Sequence, residues 1–325
     1  MLPPAMFSRR SFLSQAFWLA AAGGAFWLVR DKILWSAPQP RFAQGGGSSG
    51  WLSFAVPRQP MPTIKATVQG REVNALLDSG AQYSVVDRAF AEEMQLATSF
   101  TPLIAVGVGG QPQLGRGATV DVQVGDLSLA RLKAGVLELG PIASPSGLSA
   151  PLILGQDVLR QVVADIDFPR RRLMLAADAE HELPQGVLAA PVQARGRALA
   201  AKVFVNGAPM EVTVDTGASM VLALASDVAQ AAGLMTGQKP RYGASAVLGG
   251  QLAGQIVTAQ AVAFAGAVFS DVDVLIFPSQ RLPGFPKGLL GVGAMEGFRT
   301  ILNHAAGEMH LLKPTPASTR RRSRR

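Results

Sequence analysis

Apolar and polar residues alternate over short stretches along much of this chain, which is the pattern of half-buried β-strands. Residues 63–68 alternate in this way and lead through a Gln-Gly pair at 69–70 into a second stretch, 72–77. A matching region further along turns at the Asn-Gly pair 206–207, one of the strongest hairpin signals in a sequence. Alternation returns at 120–124. The pattern therefore predicts hairpins in two separate parts of the chain.

Only two short stretches favour helix. Residues 87–96 and 226–232 are predicted to be helical, and Gly233 ends the second because glycine readily adopts the left-handed conformation found after helices. The 35 glycines and 22 prolines among 325 residues fit many short strands and turns better than long helices. The predicted fold class is therefore all-β.

The chain also repeats itself at a separation of about 137 residues. Residues 76–81 read Leu-Leu-Asp-Ser-Gly-Ala, and residues 213–218 read Thr-Val-Asp-Thr-Gly-Ala. Three further pairs of landmarks follow in the same order, at separations of 136 to 140 residues: Gly109-Gly110 with Gly249-Gly250, Gly155 with Gly291, and Leu175 with Leu311. We infer a duplicated unit with one lobe over residues 51–177, a joint at 178–185 and a second lobe over 186–314.

The formal net charge of +8 is concentrated at the two ends of the chain. Five arginines lie in the last eleven residues, 315–325, which we expect to form a basic disordered tail with an anionic membrane surface as its favoured partner. Between residue 41 and this tail, 20 basic side chains face 21 acidic ones. The body has no basic excess for a polynucleotide, so nucleic acid is excluded as a partner.

Residues 1–43 are predicted to be an export signal or a membrane anchor. Paired arginines at 9–10 precede an apolar run at 16–29, an arrangement that resembles a twin-arginine signal for export to the periplasm. A run of about fourteen residues is shorter than the ~20 that span a bilayer comfortably, and a short anchor or Sec-type signal is the alternative. No clean cleavage site follows the run, so we expect a periplasmic protein, soluble or held at the inner membrane. Residues 44–50 are predicted to be a flexible tether.

The sequence offers few other groups for chemistry. The chain has no cysteine, which excludes disulfides and thiolate catalysis. Its three histidines, His181, His304 and His310, lack the spacing of metal ligands. We therefore predict neither a metal nor any other cofactor.

Two aspartates in matched surroundings suit a reaction in which two carboxyl groups share one proton. Held about 3 Å apart, Asp78 and Asp215 could not both ionise, because like charges at that distance repel strongly. Such a pair can take a proton from a bound water while it donates one to a peptide carbonyl oxygen. Gly80 and Gly217 would let the backbone turn close to the carboxyl groups. The alternative is that both loops are ordinary surface turns.

These loops, the two Gly-Gly pairs and the stretch Ile-Leu-Gly-Gln-Asp-Val-Leu at 153–159 resemble the retropepsin-like aspartic peptidases over both lobes. The resemblance implies two tandem β-barrel lobes in one chain, forming a pseudo-dimer with Asp78 and Asp215 as the catalytic pair. It implies that Ser79 and Thr216 bond across the lobe interface. It also implies that hairpin flaps cover the substrate, with Gly107, Gly109, Gly110, Gly249 and Gly250 as candidate tip residues, although an ordinary hairpin turn is the alternative.

The sequence departs from the family pattern in three places. In pepsin-like enzymes a hydroxyl residue commonly follows the glycine, whereas Ala81 and Ala218 cannot bond a carboxylate through a side chain. We therefore expect activity to reach toward neutral pH. In the second lobe the position that corresponds to Asp157 is not acidic, and Asn303 replaces the aspartate of the first lobe. These changes put a helix after Gly291 in doubt.

The sequence favours an aspartic endopeptidase that acts on peptides or proteins and needs no cofactor. One alternative is a catalytically inactive peptide-binding protein of the cell envelope that keeps the same fold. Another is a structural role in which each lobe pairs with its twin from a second chain.

Overall fold

The computed structural model describes residues 27–28, 36–43, 46–108, 112–247, 250–282 and 284–313, and nearly all of their regular structure is β. The strands of the first half are β1 Trp27–Leu28, β2 Pro40–Phe42, β3 Leu52–Ser53, β4 Thr63–Val68, β5 Arg71–Leu77, β6 Val85–Asp87, β7 Thr98–Val106, β8 Pro112–Val124, β9 Leu127–Leu137, β10 Leu152–Leu154, β11 Val163–Asp167 and β12 Arg172–Ala176. Those of the second half are β13 Leu188–Ala189, β14 Val192–Arg195, β15 Ala198–Val205, β16 Ala208–Val214, β17 Leu222–Ala225, β18 Arg241–Val247, β19 Gly250–Phe264, β20 Ala267–Phe277, β21 Gly288–Leu290, β22 Arg299–Asn303 and β23 Glu308–Leu312.

Six strands close into a barrel in each lobe. The first ring runs β8-β4-β5-β10-β6-β9 and returns to β8, and the second runs β15-β16-β21-β17-β20-β19 and returns to β15. Corresponding strands of the repeat occupy corresponding places. The predicted hairpin turns at 69–70 and 206–207 both have positive φ at both residues, as a two-residue type I′ turn requires. The all-β, two-lobed prediction is confirmed.

A third sheet joins the lobes, in the order β13-β23-β22-β11-β12-β3. Its central strands β11 and β22 are antiparallel, and Asp165 faces Ile301, which is its own counterpart in the repeat. The buried carboxylate of Asp165 accepts hydrogen bonds from Arg299 (Nε at 2.8 Å, Nη2 at 2.6 Å) and contacts Nε2 of His181 at 2.9 Å. Because Asp165 and Arg299 belong to different lobes, this ion pair ties the two lobes together.

The helices within the described residues are short. The predicted helix 87–96 is observed as Arg88–Glu93, capped by the Asp87 carboxylate, and the predicted helix 226–232 as Ser226–Ala231. The doubt about a helix after Gly291 was justified, since only a 3₁₀ turn, Val292–Ala294, stands where the first lobe has the α-helix Gln156–Leu159. The remaining 3₁₀ turns are Gly140–Ile142 and Asp178–Glu180.

The chain before the first barrel is partly ordered against it. Strand β2, which lies within the predicted signal or anchor, pairs with β9. In the predicted tether, the backbone N–H of Ser49 donates to the Leu175 carbonyl (2.8 Å), and its Oγ accepts the Leu175 N–H (2.9 Å). This part of the tether is therefore fixed by backbone bonds to β12 and is not a free linker.

Much of both ends falls outside the described residues, including 1–26, 29–35 and the tail from 314 onward. Among the residues that are described, no helix is both long enough and apolar enough to cross a membrane.

Candidate active site

The two aspartates leave corresponding strands of the two barrels. Asp78 follows β5 and Asp215 follows β16. The backbone N–H of Asp78 donates to the Leu154 carbonyl at 3.0 Å, and that of Asp215 donates to the Leu290 carbonyl at 2.9 Å. Each loop is therefore anchored to the neighbouring parallel strand of its own lobe, β10 or β21.

Four hydrogen bonds lock the two loops to each other across the lobe interface. The Ser79 hydroxyl donates to the Val214 carbonyl (2.8 Å), and the Thr216 hydroxyl donates to the Leu77 carbonyl (2.7 Å). Each hydroxyl oxygen also accepts the backbone N–H of the other residue, in both cases at 3.0 Å. Ser79 and Thr216 thus make the cross-lobe bonds that the resemblance implied, and both are fully buried.

The glycine of each loop lies against the aspartate of the other loop. A Cβ added to Gly80 would lie 2.5 Å from Cγ of Asp215, and one added to Gly217 would lie 2.6 Å from Cγ of Asp78. Real Cβ atoms do not come this close to another heavy atom. Each lobe therefore needs a glycine so that the carboxyl group of the other lobe can fit.

The carboxyl groups are oriented by the loops that carry them. Oδ1 of Asp78 accepts the backbone N–H of Gly80 (2.8 Å) and of Ala81 (3.1 Å), and Oδ1 of Asp215 accepts that of Gly217 (2.9 Å). Both Oδ2 atoms are buried, and no backbone or other side-chain donor in the described part of the chain reaches them. The two carboxyl groups lie close enough for each to shift the pKa of the other, so the two free oxygens belong to an interacting pair.

Burial controls the ionisation of this pair. It raises the pKa of Asp78 to about 6, although the N–H donors of the loop partly oppose the shift. It raises the pKa of Asp215 well above its ordinary value, and the negative charge of Asp78 adds to that effect. Because the two groups interact this closely, they titrate as a pair and retain one proton over part of the range between acid and neutral pH.

A polar group behind the first loop was missed by the sequence analysis. Nε2 of Gln156 donates to the Ser79 carbonyl at 2.7 Å, and the Ser84 hydroxyl donates to Oδ1 of Asp157 at 2.9 Å. Burial raises the pKa of Asp157 to about 6. The signal that pointed here was the stretch 153–159, where two polar residues directly follow a buried strand in one copy of the repeat only.

The predicted flaps are observed as two hairpins, β7–β8 and β18–β19. Gly107 is buried, and its neighbours Val106 and Val108 join an apolar cluster of the second lobe with Ala223 and Phe277. The hairpin of the first lobe therefore reaches across to the second lobe. Gly250 begins β19. The other candidate tip residues, Gly109, Gly110 and Gly249, lie outside the described residues.

Within the ranges that the structure describes, no group of three or more His, Asp or Glu side chains is placed to hold a metal ion. The site consists of two loops from two lobes, which bring two carboxyl groups together at a buried interface. This is the arrangement of an aspartic protease of the retropepsin-like type.

Comparison with protein families agrees with this class. The model described as Aspartyl protease matches residues 64–158 and 201–294, one segment in each lobe. These segments cover more than half of the chain, and the chain belongs to the aspartyl protease family.

Curated relatives match over a shorter region. The chain is similar to Protein DDI1 homolog 2 of Xenopus laevis, with 32% identity over 131 residues, and to Protein DDI1 homolog 1 of Rattus norvegicus, with 30% identity over 131 residues. Each match covers 38% of this chain, and 31% and 30% of the respective relatives. The chain thus spans about a third of the length of these curated relatives.

Solved structures with related folds were also found. The retropepsin-like aspartic protease from Rickettsia conorii has 24% identity and a TM-score of 0.30, over 40% of this chain and 95% of that one. The aspartic proteinase from Irpex lacteus has 13% identity and a TM-score of 0.47, over 84% of this chain and 99% of that one. Any more detailed function has to be argued from the site itself.

Proposed function

We propose that this protein is an aspartic endopeptidase that hydrolyses peptide bonds with Asp78 and Asp215 as the catalytic pair. The single observation that carries the proposal is that the crossed loops bury the two carboxyl groups side by side, each with one oxygen that has no donor among the described residues. A pair used only for structure would be expected to have its oxygens satisfied, because a buried polar atom without a partner is costly.

The proposed reaction needs only these two groups and a water molecule. The ionised carboxyl takes a proton from the water as the water oxygen attacks the peptide carbonyl carbon, and the protonated carboxyl donates its proton to the carbonyl oxygen. The C–N bond of the resulting tetrahedral species then breaks, while a proton passes to the amine that leaves. Either aspartate can begin as the acid, since the proton belongs to the pair.

The loop geometry supports this chemistry by holding the pair in place before substrate arrives. The cross-lobe bonds of Ser79 and Thr216 and the crossed contacts of Gly80 and Gly217 leave the carboxyl groups little room to move. Fixed orientation of this kind accounts for much of the rate enhancement in enzymes. We also propose that the hairpin bearing Val108 closes over the substrate and excludes water.

Cleavage of a mixed peptide library tests the proposal. The full chain, Asp78→Asn and Asp215→Asn would be compared between pH 3 and 8, with products identified by mass spectrometry. A matched control is Asp126→Asn, which removes an exposed carboxylate from a turn of the first lobe. We expect products from the parent and the control and a loss of at least about 10³-fold in both active-site variants.

Two results would count against an endopeptidase. Products that persist in both active-site variants would exclude the pair as the catalytic groups. A folded parent that binds peptides without cleaving any of them would favour the inactive peptide-binding alternative.

We further propose that the protein acts in the periplasm, soluble or held at the inner membrane through its N-terminal segment. The paired arginines at 9–10 and the apolar run after them support this location. Cell fractionation of the parent beside a variant with lysine at both arginine positions tests it, and export that continues unchanged would exclude the twin-arginine route.

A further inference from the structure

A row of polar side chains crosses the outer face of the first barrel near its hairpin turns. Glu72 of β5 faces Thr67 of β4, which in turn faces Gln123 of β8. Gln123 faces Ser128 of β9, and Arg41 of β2 completes the row. Residues paired directly across neighbouring strands point to the same face of the sheet. The first lobe therefore presents a polar surface here, and strand β2 covers its edge.

The second barrel has a corresponding row of residues, but their side chains are apolar. Pro209 of β16 faces Phe204 of β15, Phe204 faces Ala263 of β19, and Ala263 faces Val268 of β20. The pairing follows the first lobe strand for strand. Phe204 is 41% exposed and Val268 is 68% exposed. Where the first lobe shows four polar residues in these positions, the second shows four apolar ones.

The second row also ends at an open strand edge. Strand β20 pairs with β19 along its length, but with β17 only from Val274 onward. No strand among the described residues takes the place that β2 has in the first lobe, so the backbone of residues 267–270 is unpaired on one side. A positive φ of 50° at Asp271 ends this edge, as one of 53° at Arg131 does in the first lobe.

An open edge flanked by exposed apolar side chains is a template for another strand. In the first lobe the corresponding edge already holds an extended segment, residues 40–42, which shows that this position of the barrel accepts a strand. The second lobe offers the same backbone donors and acceptors, together with the exposed side chain of Val268 on the edge strand, which a paired strand would partly cover.

We propose that residues 267–270 of β20 pair with the same residues of a second copy of the chain, antiparallel across a two-fold axis. Residues 262–270, which contain the open edge, include no charged residue, and the nearest cation of this face, Lys202, lies over the Phe204 ring two strands away from the edge, so the edges of two copies can meet without opposing like charges. A two-fold axis at Val268 brings the exposed side chain of Val268 in one copy directly against that of Val268 in the other. An interface of this kind is self-complementary and closes as a dimer.

The charge of the body permits this association. With 20 basic and 21 acidic side chains between residue 41 and the tail, the bodies of two copies do not repel each other strongly, because the formal charge of +8 lies at the ends of the chain. The proposed dimer differs from a pairing of lobes between chains, because each copy keeps both aspartates of its own active site.

Sedimentation equilibrium of the full chain tests the dimer. We expect a concentration-dependent dimer for the parent, and at least a tenfold weaker association for Val268→Lys, which places a charge at the two-fold axis. The matched control is Ser128→Lys, the same position in the first lobe, where β2 already occupies the edge. Thermal unfolding of both variants checks that the fold is kept. A monomeric parent, or a dimer that Val268→Lys leaves intact, would overturn the proposal.

Cysteine cross-linking gives a second test that a misfolded lysine variant cannot obscure. The parent has no cysteine, so Val268→Cys carries a single thiol that a short bifunctional maleimide links only if two copies meet at this edge. We expect covalent dimers from Val268→Cys and not from Ser128→Cys. Equal cross-linking of the two variants would overturn the proposal. A parent that is monomeric and floats with phosphatidylglycerol vesicles, while Val268→Lys does not float, would also overturn the proposal, because the face would then bind lipid.

Discussion

The two lobes carry the same aspartate loop but support it by different means. In the first lobe Gln156 bonds the Ser79 carbonyl, and Asp157 accepts a bond from the loop residue Ser84, so polar side chains hold the loop from behind. In the second lobe the corresponding positions are Val292 and Gly293, which have no such groups.

Close backbone packing replaces the polar contacts in the second lobe. A Cβ at Gly293, the position of Asp157 in the first lobe, would lie 2.8 Å from the Val221 nitrogen. The preceding glycine is packed against backbone in both lobes, since a Cβ at Gly155 would lie 2.7 Å from the Tyr83 carbonyl oxygen and one at Gly291 2.2 Å from that of Met220. The support behind the loop can therefore change its chemistry. The contacts that cross between the loops have not changed, which indicates that they are the essential ones.

The largest expected effect comes from breaking the crossed glycine contacts. Gly80→Ala and Gly217→Ala each place a methyl group about 2.5 Å from the opposite carboxyl carbon and would displace it. We expect kcat/KM on a peptide cleaved by the parent to fall at least about 10²-fold in each variant, because small displacements of catalytic groups have effects of this size.

Gly297→Ala is the control for these variants, because a Cβ there meets no atom within 4 Å. Similar losses in Gly80→Ala and Gly217→Ala, with full activity in the control, would show that the lobes are equivalent at the loops. A loss in only one of them would contradict that equivalence.

The second effect concerns the buried acid of the first lobe. Burial raises the pKa of Asp157 to about 6, above its unfolded value, so its contribution to stability is full at low pH and is lost as pH rises through 6. Asp157→Asn cannot ionise and escapes this loss. From pH 4 to pH 7, the free energy of unfolding of the variant should rise relative to the parent by about 3 kcal/mol, measured by urea denaturation. A difference that does not change with pH would contradict this.

The second lobe should show the opposite dependence at His304. Burial lowers the pKa of this histidine to about 4, helped by the charge of Arg160, and neither ring nitrogen has a hydrogen-bond partner among the described residues. A lowered histidine pKa means that stability is full above about 6.5 and is lost as pH falls through 4. His304→Phe introduces the residue found at the corresponding position of the first lobe, Phe168, which is also buried.

Relative to the parent, the free energy of unfolding of His304→Phe should therefore rise by about 3 kcal/mol as pH falls from 7 to 4, in addition to any difference that does not depend on pH. The same urea series measures it. If the relative free energy of unfolding of His304→Phe and that of Asp157→Asn both rose with increasing pH, or both with decreasing pH, the contrast between the lobes would be wrong.

The smallest expected effect is on the pH range of activity. A hydroxyl that donates to a carboxylate favours its ionised form and lowers its pKa. Ala81→Ser places a hydroxyl beside Asp78, to which the described residues donate only through the backbone N–H groups of Gly80 and Ala81. We expect the pH profile of kcat/KM to move toward acid by up to about one unit. Ala218→Ser gives the matching test in the second lobe, and unchanged profiles in both would contradict the argument.

The sequence was sufficient for those features that repeat. Two copies of one pattern located the hairpins and the carboxyl pair, because a duplicated signal is hard to obtain by chance, and the family resemblance implied the cross-lobe bonds of Ser79 and Thr216. It was insufficient where the copies differ. Strand β2 has three residues, too few to show a period, and a glycine-rich composition at 44–50 gave no sign of the bonds made by Ser49. The Gln156 bond joins residues 77 positions apart, which no local pattern reveals.

The centre of the interlobe sheet shows why the two halves now depend on each other. In a homodimer of first lobes, the position where Asp165 faces Ile301 would bring two buried aspartates face to face. Neither would have Arg299, because the first lobe has Val163 at the corresponding position. Each half has thus become specific for the other. The second lobe therefore supplies a cation that the buried Asp165 needs and the first lobe lacks, so pairing of the two different lobes within one chain is favoured over pairing of two first lobes.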